Sequence, residues 1–265
     1  MADKINEKKG RKEKRIGQVF TPNYIVNAIL SYCDYMGPSI LGKHIIDNSC
    51  GNGAFLVNIV QRYIDEADAV GLGKHELSRH LSTFVHGIDI DAQAYKACLD
   101  NLNRLAAAHG LEGIQWDIYN EDALTCKKFD GKMDYVVGNP PYVRVHHLAQ
   151  SYDEVKKYTF AHGGMTDLYL AFFELGFKML SPNGELCYIT PSSWLTSIAA
   201  SNMRRFILKQ KNLVELVDLE HFQAFENVTA YTMISHFKKS KGEGSFNYYT
   251  FDKDFTAAFL SNGYS

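Results

Sequence analysis

The sequence predicts a doubly wound α/β fold: a mostly parallel, seven-stranded sheet with helices on both faces and an antiparallel hairpin closing one edge. Three observations predict it. Short apolar, β-branched runs alternate with longer segments of helical period along most of the chain. A glycine-containing loop, Asp47–Gly53, joins one such run directly to a helical segment. Acidic or amide residues then stand at the run ends, at Asp47, Asp89 and Asn139, where doubly wound sheets gather their ligands.

Taken in order, Thr21 and Pro22 open the first helix, with Thr21 as N-cap and Ile25, Ile29 and Leu30 on its apolar face. His44–Ile46 is the first strand, and a helix from Ala54 to Asp68 follows the glycine loop. Residues 70–82 read as a polar excursion before strand Phe84–Ile88, which ends at Asp89. Helix Ala92–His109 leads to a strand over Ile114–Tyr119, and strand Met133–Val137 delivers Gly138-Asn139-Pro140-Pro141-Tyr142. Helix Leu168–Leu180 is stopped by Ser181-Pro182-Asn183-Gly184. Strand Glu185–Thr190, helix Ser201–Gln210 and strand Leu213–Asp218 come next. Ala230–Phe237 and Ser245–Phe251, separated by a turn at Gly242–Gly244, pair as the closing hairpin.

At 265 residues, 46% hydrophobic and 22% charged, the chain has the make-up of an ordinary globular α/β domain, alone or with a small appendage. No apolar run is long enough to span a bilayer, so no membrane partner is expected. The cysteines Cys33, Cys50, Cys98, Cys126 and Cys187 are scattered without a Cys-x-x-Cys pair, which fits a reducing cytoplasm and predicts no metal site. Residues 1–15 carry seven Lys and Arg against three acids, either an arm that attracts phosphates or a solvated tail. The expected organisation is therefore a basic arm over 1–15, one domain over 16–251 and a short tail over 252–265.

Asp47-Asn48-Ser49-Cys50-Gly51-Asn52-Gly53 lies between a strand and a helix. Gly51 and Gly53 allow the backbone to approach a ligand, and the helix start offers free N–H groups. The spacing is not Gly-x-Gly-x-x-Gly, because residue 56 is leucine, so a dinucleotide pyrophosphate is disfavoured. Asp89 is placed to accept two ribose hydroxyls, Asp122 an adenine amino group, and Asp47 to face an ammonium. Three carboxylates around a cationic amino acid–nucleoside suit S-adenosylmethionine.

Asn139-Pro140-Pro141-Tyr142 carries the chemistry. Consecutive prolines fix the backbone and present carbonyls without N–H groups. The Asn139 side-chain oxygen and the Pro140 carbonyl can each accept one proton of a single planar amino group. That pairing draws the nitrogen towards tetrahedral geometry and frees its lone pair to attack a sulfonium methyl. Tyr142 is placed to stack on the ring that bears the amine.

With these motifs the chain resembles the gamma-class adenine-N6 DNA methyltransferases of bacterial restriction–modification systems, over about residues 16–251 and in the family's motif order. The resemblance implies a Rossmann-like methyltransferase fold, S-adenosylmethionine as cofactor and double-stranded DNA with a flipped adenine as substrate. Gln18-Val19-Phe20-Thr21-Pro22 is similar to the family's N-terminal motif, in which the threonine touches the methionine end. The Asp47–Leu56 stretch matches the cofactor-loop motif except that Asn48 replaces the usual proline, which should loosen the turn slightly. By this resemblance Thr21, Asp47, Ser49, Gly51, Asp89, Asp122 and Asn139 bind the cofactor, and Phe172, in Asp167–Phe173, packs on its adenine. Leu186–Leu195 resembles the strand and loop beside the active site, and Phe225, in Ala224–Val228, the aromatic set against the flipped base.

Family members usually carry a further recognition domain after the closing hairpin. Three arrangements are open: recognition by a domain outside this chain, by a separate specificity subunit, or by loops such as 143–166 with Arg144, His146, His147, Lys156 and Lys157. Other activities open on the motif alone are methylation of RNA amino groups or of protein glutamine, and a cofactor-binding subunit of a larger complex.

Overall fold

The structure, a computed structural model, describes residues 21–145, 152–162, 166–220, 225 and 231–250. The arm at 1–15, Gln18–Phe20, His146, His147, Ala224, residues 226–228 and the tail at 252–265 lie outside the described residues. Among the described residues, one sheet of eight strands runs in the order β3-β2-β1-β4-β5-β7-β6-β8. The strands are β1 (Ile45–Asp47), β2 (Val85–Ile88), β3 (Asp117–Tyr119), β4 (Met133–Gly138), β5 (Leu180–Pro191), β6 (Leu213–Asp218), β7 (Thr232–Lys238) and β8 (Asn247–Thr250).

Strands β3-β2-β1-β4-β5 are parallel, each joined to the next by a crossover, so the strand ends that carry Asp47, Asp89 and Asn139 share one edge. Helices α1 (Asn23–Tyr32), α2 (Ala54–Ala69), α3 (Lys74–Phe84) and α4 (Ala92–Ala108) precede or connect the first strands. A single turn, α5 (Tyr152–Val155), and two longer helices, α6 (Leu168–Met179) and α7 (Ser201–Gln210), follow. Strand alternation divides the core between two faces. Ile45 packs with Ile29, Leu56 and Tyr63 on one side. Ile46 packs with Val136, Phe173 and Leu186 on the other. Burying each such side chain contributes about 1.5–3 kcal/mol, which is why β1, buried on both faces, stands at the centre of the parallel section.

The structure differs from the sequence reading at four places. Residues 74–84 form a helix rather than a polar excursion; its inward stripe is only Leu77 and Leu81, too thin to register as a period. The stop at Ser181–Gly184 is a bulge inside β5, because β4 pairs first with Leu180 and then, past a register shift, with Glu185. Of the predicted strand Ser245–Phe251, the described strand Asn247–Thr250 does not pair with the strand before it. Strand β7 is already flanked on both sides, antiparallel to β5 and to β6, so β8 adds to the free edge of β6 and runs parallel to it. Lastly, Thr21 is not the N-cap of α1: Pro22 is, and its carbonyl accepts from the Ile25 and Val26 amides at 3.0 and 3.1 Å. The Thr21 hydroxyl is committed elsewhere, as described next.

Candidate active site

The loop after β1 is built by two glycines in left-handed backbone conformations, Gly51 (φ 54°) and Gly53 (φ 89°). A Cβ on Gly53 would stand 2.8 Å from the Cys98 sulfur of α4, so this helix packs directly against the loop. The Gly51 amide donates to Asp89 Oδ2 at 2.7 Å and the Asp91 amide to Asp89 Oδ1 at 2.8 Å. Asp89, only 7% exposed, thus ties the first loop to the second strand end. Burial raises its carboxyl above the usual range, although these two N–H donors oppose the shift.

Asp47 is 1% exposed and accepts the Ser49 amide at 3.0 Å. Burial pushes its carboxyl up to about 8; the Ser49 amide opposes the shift and the nearby Asp89 charge adds to it. A carboxyl so placed is neutral when nothing faces it and ionises against a cation. Across from it, Gly138 at the end of β4 has φ 151°, and a Cβ there would stand 2.8 Å from Asp47 Oδ1. Gly138 therefore allows β4 to deliver Asn139 close beside the Asp47 carboxyl.

Asn139 donates through Nδ2 to Thr21 Oγ1 at 3.1 Å. Its Oδ1 is buried and has no partner among the described residues, as is the Ser49 hydroxyl. A buried acceptor left unpaired costs about 1–3 kcal/mol, so this oxygen calls for a donor that the described residues do not supply. Pro140, next to it, is buried. Tyr142 is held from three sides. Its hydroxyl donates to the Ile189 carbonyl at 3.2 Å, and its ring meets Tyr169 (6.5 Å, 79°) and Phe225 (6.3 Å, 75°) edge to face. Burial raises the Tyr142 phenol well above its ordinary value, with Tyr169 adding to the shift, so it stays protonated and donates.

The structure thus brings Thr21, Asn139, Asp47, Ser49, Gly51 and Asp89 into one continuous set, with Tyr142 and Phe225 at its flank. Asp122 stands apart from these hydrogen bonds and caps its own turn through the Leu124 amide at 3.0 Å. Its neighbours Ala123 and Leu124 share an apolar cluster with Ile88 and Phe172, the latter 6% exposed. In the 143–166 loop Arg144 is exposed and its backbone forms an isolated antiparallel β-bridge with that of Asp167, while Lys157 pairs with Glu154 at 2.7 Å.

Sequence reasoning gave no role to Tyr169, Ile189, Asn48 or Tyr188. Tyr169 and the Ile189 carbonyl hold Tyr142, and a tyrosine on a buried helix face is the signal that a hydroxyl partner must exist. Asn48 does not leave its turn loose: it is 1% exposed and accepts from the Tyr188 hydroxyl at 2.9 Å.

Fold and site together define a doubly wound ligand-binding domain whose ligand groups line the C-terminal edge of the parallel strands. The chain belongs to the Eco57I restriction-modification methylase family, whose model matches residues 74–225. It is 32% identical over 236 residues to the Type II methyltransferase M.BstVI of Geobacillus stearothermophilus, covering 82% of this chain and 41% of that relative. The chain therefore spans less than half the length of this curated relative. Among solved structures, a chain of the DrdV–DNA complex superposes with a TM-score of 0.72 at 17% identity, over 91% of this chain and 28% of that one. A Listeria monocytogenes protein described as a class I S-adenosylmethionine-dependent methyltransferase does so at 0.65 and 18%, over 93% and 72%. Both likenesses bear out the doubly wound fold.

Proposed function

We propose that this chain transfers a methyl group from S-adenosylmethionine to the exocyclic N6 amino group of adenine in DNA, as the modification activity of a restriction–modification system. The observation that carries the reading is the Oδ1 of Asn139, buried and without a partner among the described residues, in the residue that precedes the buried Pro140. The family, and the Type II methyltransferase among the relatives, support DNA as the substrate.

The residues present fit the cofactor. Asp47 would face the ammonium and ionise against it, Thr21 and Ser49 would offer hydroxyls, Gly51 and Gly53 would give backbone access, and Asp89 would accept the ribose hydroxyls. Asp122 would accept from the adenine amino group of the cofactor, and Phe172 would pack on that ring. S-adenosylmethionine supplies an electrophilic methyl group there. The chain's own residues do the rest by positioning. Asn139 Oδ1 and the Pro140 carbonyl would accept hydrogen bonds from the two N–H groups of the target amine, which frees its lone pair without a basic side chain. As the nitrogen takes the methyl, the sulfonium sulfur leaves as a neutral thioether and one N–H proton passes to water. Thr21 fixes which way the Asn139 amide points, because it takes the Nδ2 donor and leaves the oxygen free. Tyr142 and Phe225 hold the flipped base by stacking.

Asn139→Ala tests this directly. Methyl transfer should fall by roughly a hundred- to a thousandfold, as when a preorganised hydrogen-bonding group is lost from an active site, while S-adenosylmethionine affinity falls far less. Near-normal turnover in the variant would overturn the mechanism.

A further inference from the structure

Two consecutive residues of β5 hold the two halves of the site. The Ile189 carbonyl accepts from the Tyr142 hydroxyl at 3.2 Å, on the side of the target base. The Tyr188 hydroxyl donates to Asn48 Oδ1 at 2.9 Å, on the side of the cofactor loop. Strand β4 lies between β1 and β5, and its Gly138 is the register partner of Tyr188. The hydrogen bond therefore spans one intervening strand, in the row just before Asn139. Tyr188 and Asn48 are both essentially inaccessible, and Asn48 Nδ2 has its own partner in the Met179 sulfur at 3.7 Å. Helix α6 makes room for the phenol: a Cβ on Gly176 would stand 2.9 Å from the Tyr188 oxygen.

We propose that Tyr188, acting through Asn48, is a positioning residue that sets the cofactor loop relative to the loop that holds the base. The inference rests on the S-adenosylmethionine reading for its ligand, but not for its effect on the loop. Asn48 is flanked by Asp47 and Ser49, so a fixed Asn48 side chain fixes the direction of the carboxyl and of the hydroxyl next to it. In Tyr188→Phe, Asn48 Oδ1 becomes a buried acceptor without a donor, and the loop relieves this only by moving.

Two measurements on the full chain test it. Hydrogen exchange of the amides over residues 47–53 should speed up in Tyr188→Phe, and titration with S-adenosylmethionine well below the melting temperature should show affinity weakened about tenfold. The double variant Asn48→Leu/Tyr188→Phe removes both polar groups and should recover the melting temperature without recovering affinity. Recovery of both, or unchanged exchange in Tyr188→Phe, would overturn the positioning role. Faster exchange in Tyr188→Phe, together with a wild-type chain that binds no S-adenosylmethionine, would overturn the cofactor reading and leave the role in ordering the loop.

Discussion

The two edges of the sheet use the same residue types in opposite ways. At the N-terminal edge of the parallel strands, Asp117 accepts from His86 at 2.6 Å, Lys128 at 2.5 Å and the Tyr119 hydroxyl at 2.6 Å, and His86 meets His44 at 2.8 Å. Burial alone would raise the Asp117 carboxyl, but these donors outweigh it and hold the group well below the usual range. Glu185, with His236 at 2.7 Å and Lys238 at 3.1 Å, repeats the pattern further along the same edge. At the C-terminal edge, Asp47 has no cationic partner among the described residues' hydrogen bonds and is pushed up to about 8, while Asn139 Oδ1 and Ser49 Oγ have no partner among the described residues. The Asp117 and Glu185 clusters satisfy their charges internally and contribute stability, although Glu215, beside His236, keeps a buried Oε1 without a partner among the described residues. The C-terminal edge keeps unmet demand, which is what a ligand site requires.

The largest effect on cofactor affinity should come from disturbing the unmet carboxyl. Asp47→Asn should weaken S-adenosylmethionine binding by ten- to a hundredfold, the size of a lost charge-assisted hydrogen bond or ion pair (about 1.5–3 kcal/mol). In the native chain, binding a cation requires Asp47 to ionise. Affinity should therefore rise with pH by up to about tenfold per unit until near pH 8, and calorimetry on the variant should find that slope gone. Stability of the empty protein moves the other way. A carboxyl whose folded pKa is raised stabilises fully only below its unfolded value and loses that contribution as pH climbs through about 8, so Asp47→Asn should melt no lower than the native chain at pH 9.

A smaller effect is expected at the satisfied edge. Asp117 is held low, so its contribution is present above the unfolded carboxylate range and lost as pH falls below it. Asp117→Asn should lower the melting temperature at pH 7 by on the order of 5 °C, lose most of that difference in acid, and leave cofactor affinity unchanged. Loss of cofactor affinity in this variant would erase the division between the two edges.

Much of the ligand edge was legible in the sequence because its chemistry is local: Asp47–Gly53 and Gly138–Tyr142 are contiguous, and each motif announces its own backbone geometry. What was not legible depends on partners distant in the chain. Thr21 reads as a helix cap until Asn139, 118 residues away, claims its hydroxyl. Helix α3 escaped notice because Leu77 and Leu81 are its only buried residues. The position of β8 followed from β7 being occupied on both sides, and no local turn signal carries that information.

The smallest effect should come from Tyr142→Phe. It removes only the hydrogen bond to Ile189 and keeps the ring between Tyr169 and Phe225, so turnover should drop by a few-fold, about 1 kcal/mol, in a steady-state assay. Tyr142→Ala, which removes the ring, should cost more; equal losses would assign the role to the hydroxyl.

The central claim is that the unpartnered Asn139 oxygen exists to receive an adenine amine. It is tested most directly by incubating the protein with methyl-labelled S-adenosylmethionine and unmethylated double-stranded DNA, then digesting the product to nucleosides. The account predicts label in N6-methyladenine, and none when Asn139→Ala replaces the native chain. Label in a methylated cytosine, or only in protein, would contradict it.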